Sequence, residues 1–182
     1  MTTVDRPVAG TTELRPVDID LLRALLHRQA TTVAVVTTPG RSGGRGRPAL
    51  PPAGFTATSF TSVSLEPPLV SFCLGRASSN WPTVERAEHV AVHLLAAGQQ
   101  EVARTFATSG VDRFAACPGW APGPFGVPLV EGAPAVLLCR VAHRVSAGDH
   151  AIVIAEPLAL GVGEDGAPLV HHRGGHFATA EQ

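Results

Sequence analysis

The stretch AVLLCRVAHRVSAGDHAIVIAEPLAL, residues 135–160, constrains the fold more than any other. Val136, Leu138 and Val141 recur in a strand-like run over 135–145, and a second apolar run covers 150–160. Gly148-Asp149 between them is a turn signal of the kind that joins adjacent antiparallel strands. Further strands are expected over 32–38 (TVAVVTT), 53–64, 69–74, 89–95 and 167–171, with Glu66-Pro67-Pro68 breaking the second from the third. Helical spacing is confined to three places. Ile19, Leu22 and Leu26, with Leu21 and Leu25 beside them, predict a helix over 17–29, capped by Asp18. Trp81-Pro82 after Ser78-Ser79-Asn80 opens a helix ending near residue 87, and 99–108 forms another. Strands and helices do not alternate regularly, which argues against a doubly wound parallel sheet. The expected class is mainly β: a closed or partly closed antiparallel barrel with peripheral helices.

The chain has 182 residues, 45% hydrophobic and 16% charged, so one domain with a sizeable core is expected over 16–182. Residues 1–15 show neither periodicity nor the apolar core of a leader peptide and read as a disordered arm. A formal net charge of −1 leaves no basic excess for nucleic acid or an anionic membrane surface. No apolar run reaches the roughly 18 residues of a membrane span. Three cysteines without a CxxC pair point to a reducing compartment, the cytoplasm.

Several local features carry chemistry, each with a plain alternative. RSGGRGRP (41–48) reads as a solvated loop or as a clamp for nucleic acid or a nucleotide phosphate; no aromatic residue interleaves its arginines. His171, His172 and His176 lack the cysteine or carboxylate partners of a metal site, and none is assigned. No GxSxG elbow supports serine hydrolase chemistry. His150 follows the Gly148-Asp149 turn, either as part of a hairpin or as a side chain leaning into a cavity. Arg76-Ala77-Ser78-Ser79-Asn80 reads as an ordinary cap or as an anion site. In GFTATSFTSVSLEPPLV (54–70), Phe55, Ala57, Val63 and Leu65 alternate among Thr56, Thr58, Ser59, Thr61, Ser62 and Ser64. Small hydroxyl residues let a planar ring approach the backbone and meet its carbonyls. Together these features suit a flat, polar, phosphorylated ligand.

GFTATSFTSVSLEPPLVSFCL resembles the central motif of the flavin reductase-like family, whose fold is the FMN-binding split barrel, an antiparallel Greek-key type. The resemblance extends through LLRALLHRQAT, VAVVTT, RASSNWPTVERAEHVAVHLLA, FATSGVDRF, GVPLVEGAPAVLLCRV, AGDHAIVIAEPLAL and PLVHHRGGHF. It implies an NAD(P)H:flavin oxidoreductase that takes hydride from NADH or NADPH, reduces FMN or FAD, and supplies a separate monooxygenase. It also implies a homodimer. On this chain the implied flavin wall is Thr56, Ala57, Thr58 and Ser59, extended by Ser62, Val63 and Ser64. Ala77, Ser78, Ser79 and Asn80 would hold the ribityl phosphate end. His150, with Gly148 and Asp149, matches the nicotinamide position, and Gln29 and Ala30 face the same pocket. The pattern departs at Leu22, where the family has Phe, and at Thr32, where it has Gly. It departs again at His93 for Asn, at Gly98 for Asp, and in a longer 39–52 loop. Two alternatives follow from these departures: a flavin enzyme acting on a small organic substrate in a biosynthetic pathway, or a non-catalytic flavin-binding module.

Overall fold

The computed structural model describes residues 12, 14–43, 46, 48–117 and 119–178, with the side chains of 175–178 not described. Most of the expected arm over 1–15, and Arg45 and Arg47 of the Arg/Gly loop, lie outside these. The first helix, α1 (Ile19–Leu26), opens on Asp18, whose carboxylate accepts the backbone N–H of Leu21 at 2.8 Å. That bond satisfies one of the N–H groups that a helix start leaves unpaired.

The long hairpin is present as β9 (Ala135–Ala147) and β10 (His150–Val162). It forms the centre of a seven-stranded antiparallel sheet. The remaining strands are β2 (Ala34–Thr38), β3 (Ala53–Ala57), β4 (Thr61–Leu65), β5 (Pro68–Gly75) and β6 (His89–Leu94), in the order β3-β2-β6-β9-β10-β5-β4. Outside this sheet, β1 (Thr31–Thr32) pairs with β11 (Leu169–His172), which pairs with β12 (Gly175–Ala178). Strands β7 (Trp120–Pro122) and β8 (Pro128–Val130) form a small hairpin.

One expectation needs correction. Residues 53–64 do not form one strand. They split at 58–60 into β3 and β4, which lie at opposite edges of the sheet. The sheet curls so that these edges meet. Phe55 of β3 packs on Phe72 of β5 with ring centroids 5.9 Å apart. The Ser59 hydroxyl accepts the backbone N–H of Cys73 at 2.9 Å. A side-chain bond therefore stands at the seam where a backbone ladder would otherwise run, and the barrel is split there.

Period-2 burial explains both faces of this wall. Val36, Phe55, Ala57, Phe72, Val92 and Val153 fill the barrel interior. Val33 and Val35, on the other face, pack with Phe106, Val130 and Leu169 beneath α3 (Gln100–Ala107). Gly54 and Thr56 also face α3. A Cβ at Gly54 would lie 2.4 Å from Phe106 Cε1, and the Thr56 hydroxyl donates to the Ala103 carbonyl at 2.6 Å. Short helix α2 (Trp81–Val84) closes the barrel end, where Arg144 of β9 donates to the carbonyls of Val84 and Ala87.

His93, where the resemblance implies Asn, is fully buried. Its Nδ1 lies 3.0 Å from the Val35 carbonyl, and its Nε2 accepts the backbone N–H of Val130 at 3.0 Å. The second bond requires a bare Nε2, so Nδ1 carries the proton and the ring is neutral. Burial pushes its pKa from 6.5 down to about 4, against a smaller opposing effect of the Val35 carbonyl. His93 thereby joins β2, β6 and β8.

Candidate functional site

The seam generates the first candidate site. A cavity of about 330 Å³ opens there, lined on one side by Gln29, Ala30, Thr31 and Thr32, which follow α1. Thr58, Ser59 and Phe60 of the crossover between the edge strands, with Thr61 at the start of β4, line the other. Its lining offers hydroxyls and a carboxamide but no formal charge. Thr32 is extended and pairs with Val170, and among the described residues only Phe125 and Arg173 are non-glycine positions with positive φ. Thr32, where the resemblance implies Gly, therefore carries no backbone strain here.

The other end of β3 floors a second cavity, of about 490 Å³. Ala53, Gly54, Ser79, Asn80, Arg113, Phe114 and Trp120 are among its walls. Arg113 is the first residue of the short helix α4 (Arg113–Ala116), and its Nη1 donates to Asn80 Oδ1 at 3.1 Å. Asn80 is buried, and Ser78 Oγ accepts its backbone N–H at 3.3 Å.

A third group lies at the tip of the long hairpin. Arg76 Nη2 donates to the Gly148 carbonyl at 2.7 Å, and its backbone N–H donates to Asp149 O at 2.9 Å. The His150 ring rests over Gly75, where a Cβ would lie 3.5 Å from Nε2. His150 Nδ1 bonds Asp149 Oδ1 at 2.7 Å. The hydrogen bond and charge of His150 hold the Asp149 carboxyl below the usual carboxylate range. An ionised carboxylate only accepts, so Nδ1 is the donor and Nε2 is left for another partner.

The structure thus groups Gln29, Ala30, Thr58 and Ser59 at one cavity and Ser79 and Asn80 at the next. Gly148, Asp149 and His150 cluster with Gly75 and Arg76. The side chains of Thr56 and Ala57 are committed to α3 and the barrel interior, so only their backbone remains for a ligand. Ser62, Val63 and Ser64 lie on edge strand β4, outside either cavity lining. Ala77 is exposed, and Ser78 is half-buried in the turn before α2. Of the Arg/Gly loop, Arg41 is tied down, its Nη1 donating to the Arg86 carbonyl at 2.8 Å. Arg113, Phe114 and Trp120 were not singled out as site residues from sequence. Asp112-Arg113-Phe114 enters the sequence reading only within FATSGVDRF, one of the stretches that carry the family resemblance.

Residues 26–180 match the flavin reductase like domain. The chain belongs to the flavin reductase like family. It is 40% identical to an NADH:FMN oxidoreductase of Rhodococcus erythropolis, across 97% of this chain and 91% of that one. The Streptomyces globisporus NADH:FAD oxidoreductase, solved in complex with NAD and FAD fragments, superposes with a TM-score of 0.80 at 33% identity. That match covers 93% of this chain and 98% of the other. The flavin reductase component of a bacterial two-component tryptophan halogenase is 34% identical with a TM-score of 0.77, covering 91% of this chain and all of that one. The split antiparallel barrel is the fold these flavin reductases share with this family member.

The residues present fit a flavin. The first cavity offers neutral hydroxyl and amide groups suited to the carbonyl and N–H edge of a ring. The second, along the same strand, offers the Arg113 cation suited to an anionic tail.

Proposed function

We propose that the chain is an NAD(P)H:flavin oxidoreductase that reduces FMN or FAD and releases it to a separate oxygenase. The observation that carries this reading is the polar seam cavity on a split barrel whose relatives are flavin reductases. A bound flavin supplies the two-electron chemistry. Thr58 and Ser59, with backbone groups of Thr56 and Ala57, line the ring. Ser62, Val63 and Ser64 continue along β4 beyond the cavity lining, where only a flavin reaching past the cavity would meet them. Gln29 and Ala30 close the cavity from α1, and Ala77 to Asn80 hold the phosphate end. His150, oriented by Asp149 and the Gly148 turn, contacts the nicotinamide and positions it. No acid or base is required for a hydride step, so its role is in binding.

The partners follow from surface chemistry and kinship. Ile19, Leu21, Leu22, Leu25 and Leu26 are all exposed, and α1 buries no residue within one chain. Leu65 on β4 and Leu160 on β10 are 84% and 72% exposed. A second copy of the chain covering this apolar surface makes the protein a homodimer. The halogenase reductase component sets the precedent for a separate oxygenase. No described helix is long and apolar enough to cross a membrane, and Cys73, Cys117 and Cys139 are free thiols. We assign the protein to the cytoplasm. Steady-state oxidation of NADH and NADPH by the purified chain, with FMN or FAD added, tests the proposal. Flavin-dependent turnover is expected; no turnover with any pairing overturns it.

A further inference from the structure

A third cavity, of about 310 Å³, opens at the start of β6 and shares no lining residue with the other two. Pro39, Arg41, Arg86, Glu88, His89 and Phe125 are among its walls. One wall is a ring pair. Phe125 and His89 stack face to face, with centroids 3.8 Å apart and planes within 4° of parallel. His89 is anchored through its carbonyl, which accepts the Thr38 hydroxyl at 2.9 Å. Phe125 lies in the turn between β7 and β8, at a φ of 58°. That left-handed conformation disfavours a bulky side chain. Burial does not compensate, because Phe125 is 59% exposed. The turn is nonetheless fixed. The Gly126 N–H donates to the Gly123 carbonyl at 3.1 Å, and the Gly123 N–H to the Val127 carbonyl at 2.8 Å. The Thr37 hydroxyl ties the base of the hairpin to β2 through the Pro128 carbonyl, at 2.5 Å. A strained residue held in place by its surroundings, with its ring in the open, is suited to meeting a ligand.

The charges around this platform narrow the ligand. Arg41 spends Nη1 on the Arg86 carbonyl, at 2.8 Å, which holds its guanidinium at the cavity and leaves other N–H groups to donate. The Arg86 side chain is exposed. Among the described residues no carboxylate forms an ion pair with either arginine. A guanidinium is the side chain best shaped for a phosphate. Glu88 adds a carboxylate to the same lining, which accepts from an amine and repels a second anion. A stacking platform, two cations and one acceptor match a flat, amino-bearing base joined to a phosphate. The volume lies at the low end for ligand cavities and suits a mononucleotide rather than a whole dinucleotide. We propose that this cavity binds an adenosine phosphate, its base stacked on Phe125 and its phosphate held by Arg86 and Arg41. A free nucleotide and the adenylate half of a dinucleotide share this chemistry. The proposal rests on the cavity's own residues and stands apart from the flavin reading.

The test is isothermal titration calorimetry of the full chain with AMP and with adenosine, at saturating FMN so that the flavin cavities are filled. AMP is expected to bind more tightly than adenosine, by a margin that added salt reduces. Phe125→Ala is expected to lose at least about fivefold in AMP affinity, the low end for a base stacked on an aromatic side chain, and Phe125→Trp to retain it. Arg86→Ala is expected to narrow the AMP-to-adenosine affinity ratio severalfold. A wild-type chain that binds no AMP, or AMP affinity unchanged in either alanine variant, overturns the proposal. Should Phe125→Ala fail to fold, Arg86→Ala decides through the AMP-to-adenosine ratio, and an unchanged ratio counts against the proposal. Displacement of AMP by FAD or by NADH assigns the site to the adenylate half of that dinucleotide, and displacement by neither assigns it to a free nucleotide; both uphold the proposal. AMP binding in a chain that binds no FMN refutes the flavin reading alone, whereas FMN binding without AMP binding refutes this proposal alone.

Discussion

His93 makes the stability of this barrel sensitive to mild acid. In the unfolded chain its imidazole takes up a proton below its ordinary pKa of 6.5. In the folded chain it does so only near pH 4, because burial disfavours the charged ring. Between these values the unfolded state binds more protons, so stability falls as pH drops from 6.5 and levels off below about 4. The interval corresponds, at about 1.4 kcal/mol per tenfold change, to about 3 kcal/mol in full. About 2 kcal/mol of that is lost between pH 7 and pH 5. Protonation also puts a hydrogen on Nε2, which faces the Val130 N–H, and so breaks the tie between β6 and β8. The perturbation is His93→Asn, which removes the titration and keeps a polar side chain at this site. Urea unfolding at pH 7 and pH 5, followed by circular dichroism, reads the effect. The wild type should lose about 2 kcal/mol more than the variant over that range. Whatever the variant loses in packing is common to both pH values and cancels. Parallel pH dependences for the two proteins would refute the assignment of a neutral, buried His93.

Other outcomes follow from the same geometry. His150→Ala should raise the KM for the nicotinamide severalfold and leave flavin affinity intact, and Arg76→Ala should do the same by freeing the Gly148 turn; a loss of flavin affinity instead would make Arg76 a ligand-binding cation. Thr56→Val deletes the bond to the Ala103 carbonyl, and should cost about 1 kcal/mol in urea unfolding without changing flavin affinity. Gly54→Ala drives a methyl group into the fully buried Phe106 ring and should cost about 1–3 kcal/mol, read as a lowered Tm. Leu25→Asp on the exposed face of α1 should yield a monomer by sedimentation velocity, with the wild type sedimenting as a dimer.

The parts of this fold visible in sequence are those set by local pattern. The hairpin expected at 135–145 and 150–160 is β9 and β10, and the helix expected at 17–29 is α1 with Asp18 as its cap. Period-2 alternation could not show that 53–64 divides between two edges, because the bond that marks the division joins Ser59 to Cys73, fourteen positions away. Short elements such as β7, β8 and α4 have too few residues for a period and fall in a Gly/Pro-rich segment. The site divides the same way. Thr58 and Ser59 stand out by composition, whereas Arg113 reaches Asn80 across 33 positions and has meaning only in three dimensions. Thr56 shows the converse: its hydroxyl looked available in sequence, and α3 takes it.

In the proposed function this chain moves reducing equivalents from a nicotinamide to a flavin held at the seam. Anaerobic mixing of the purified protein with FMN and NADH, or NADPH, while following flavin absorbance tests it most directly. Protein-dependent bleaching of the oxidised flavin with at least one nicotinamide is expected, slowed in His150→Ala at limiting nicotinamide. Oxidised flavin that persists with both nicotinamides, at protein concentrations where flavin is bound, would contradict it.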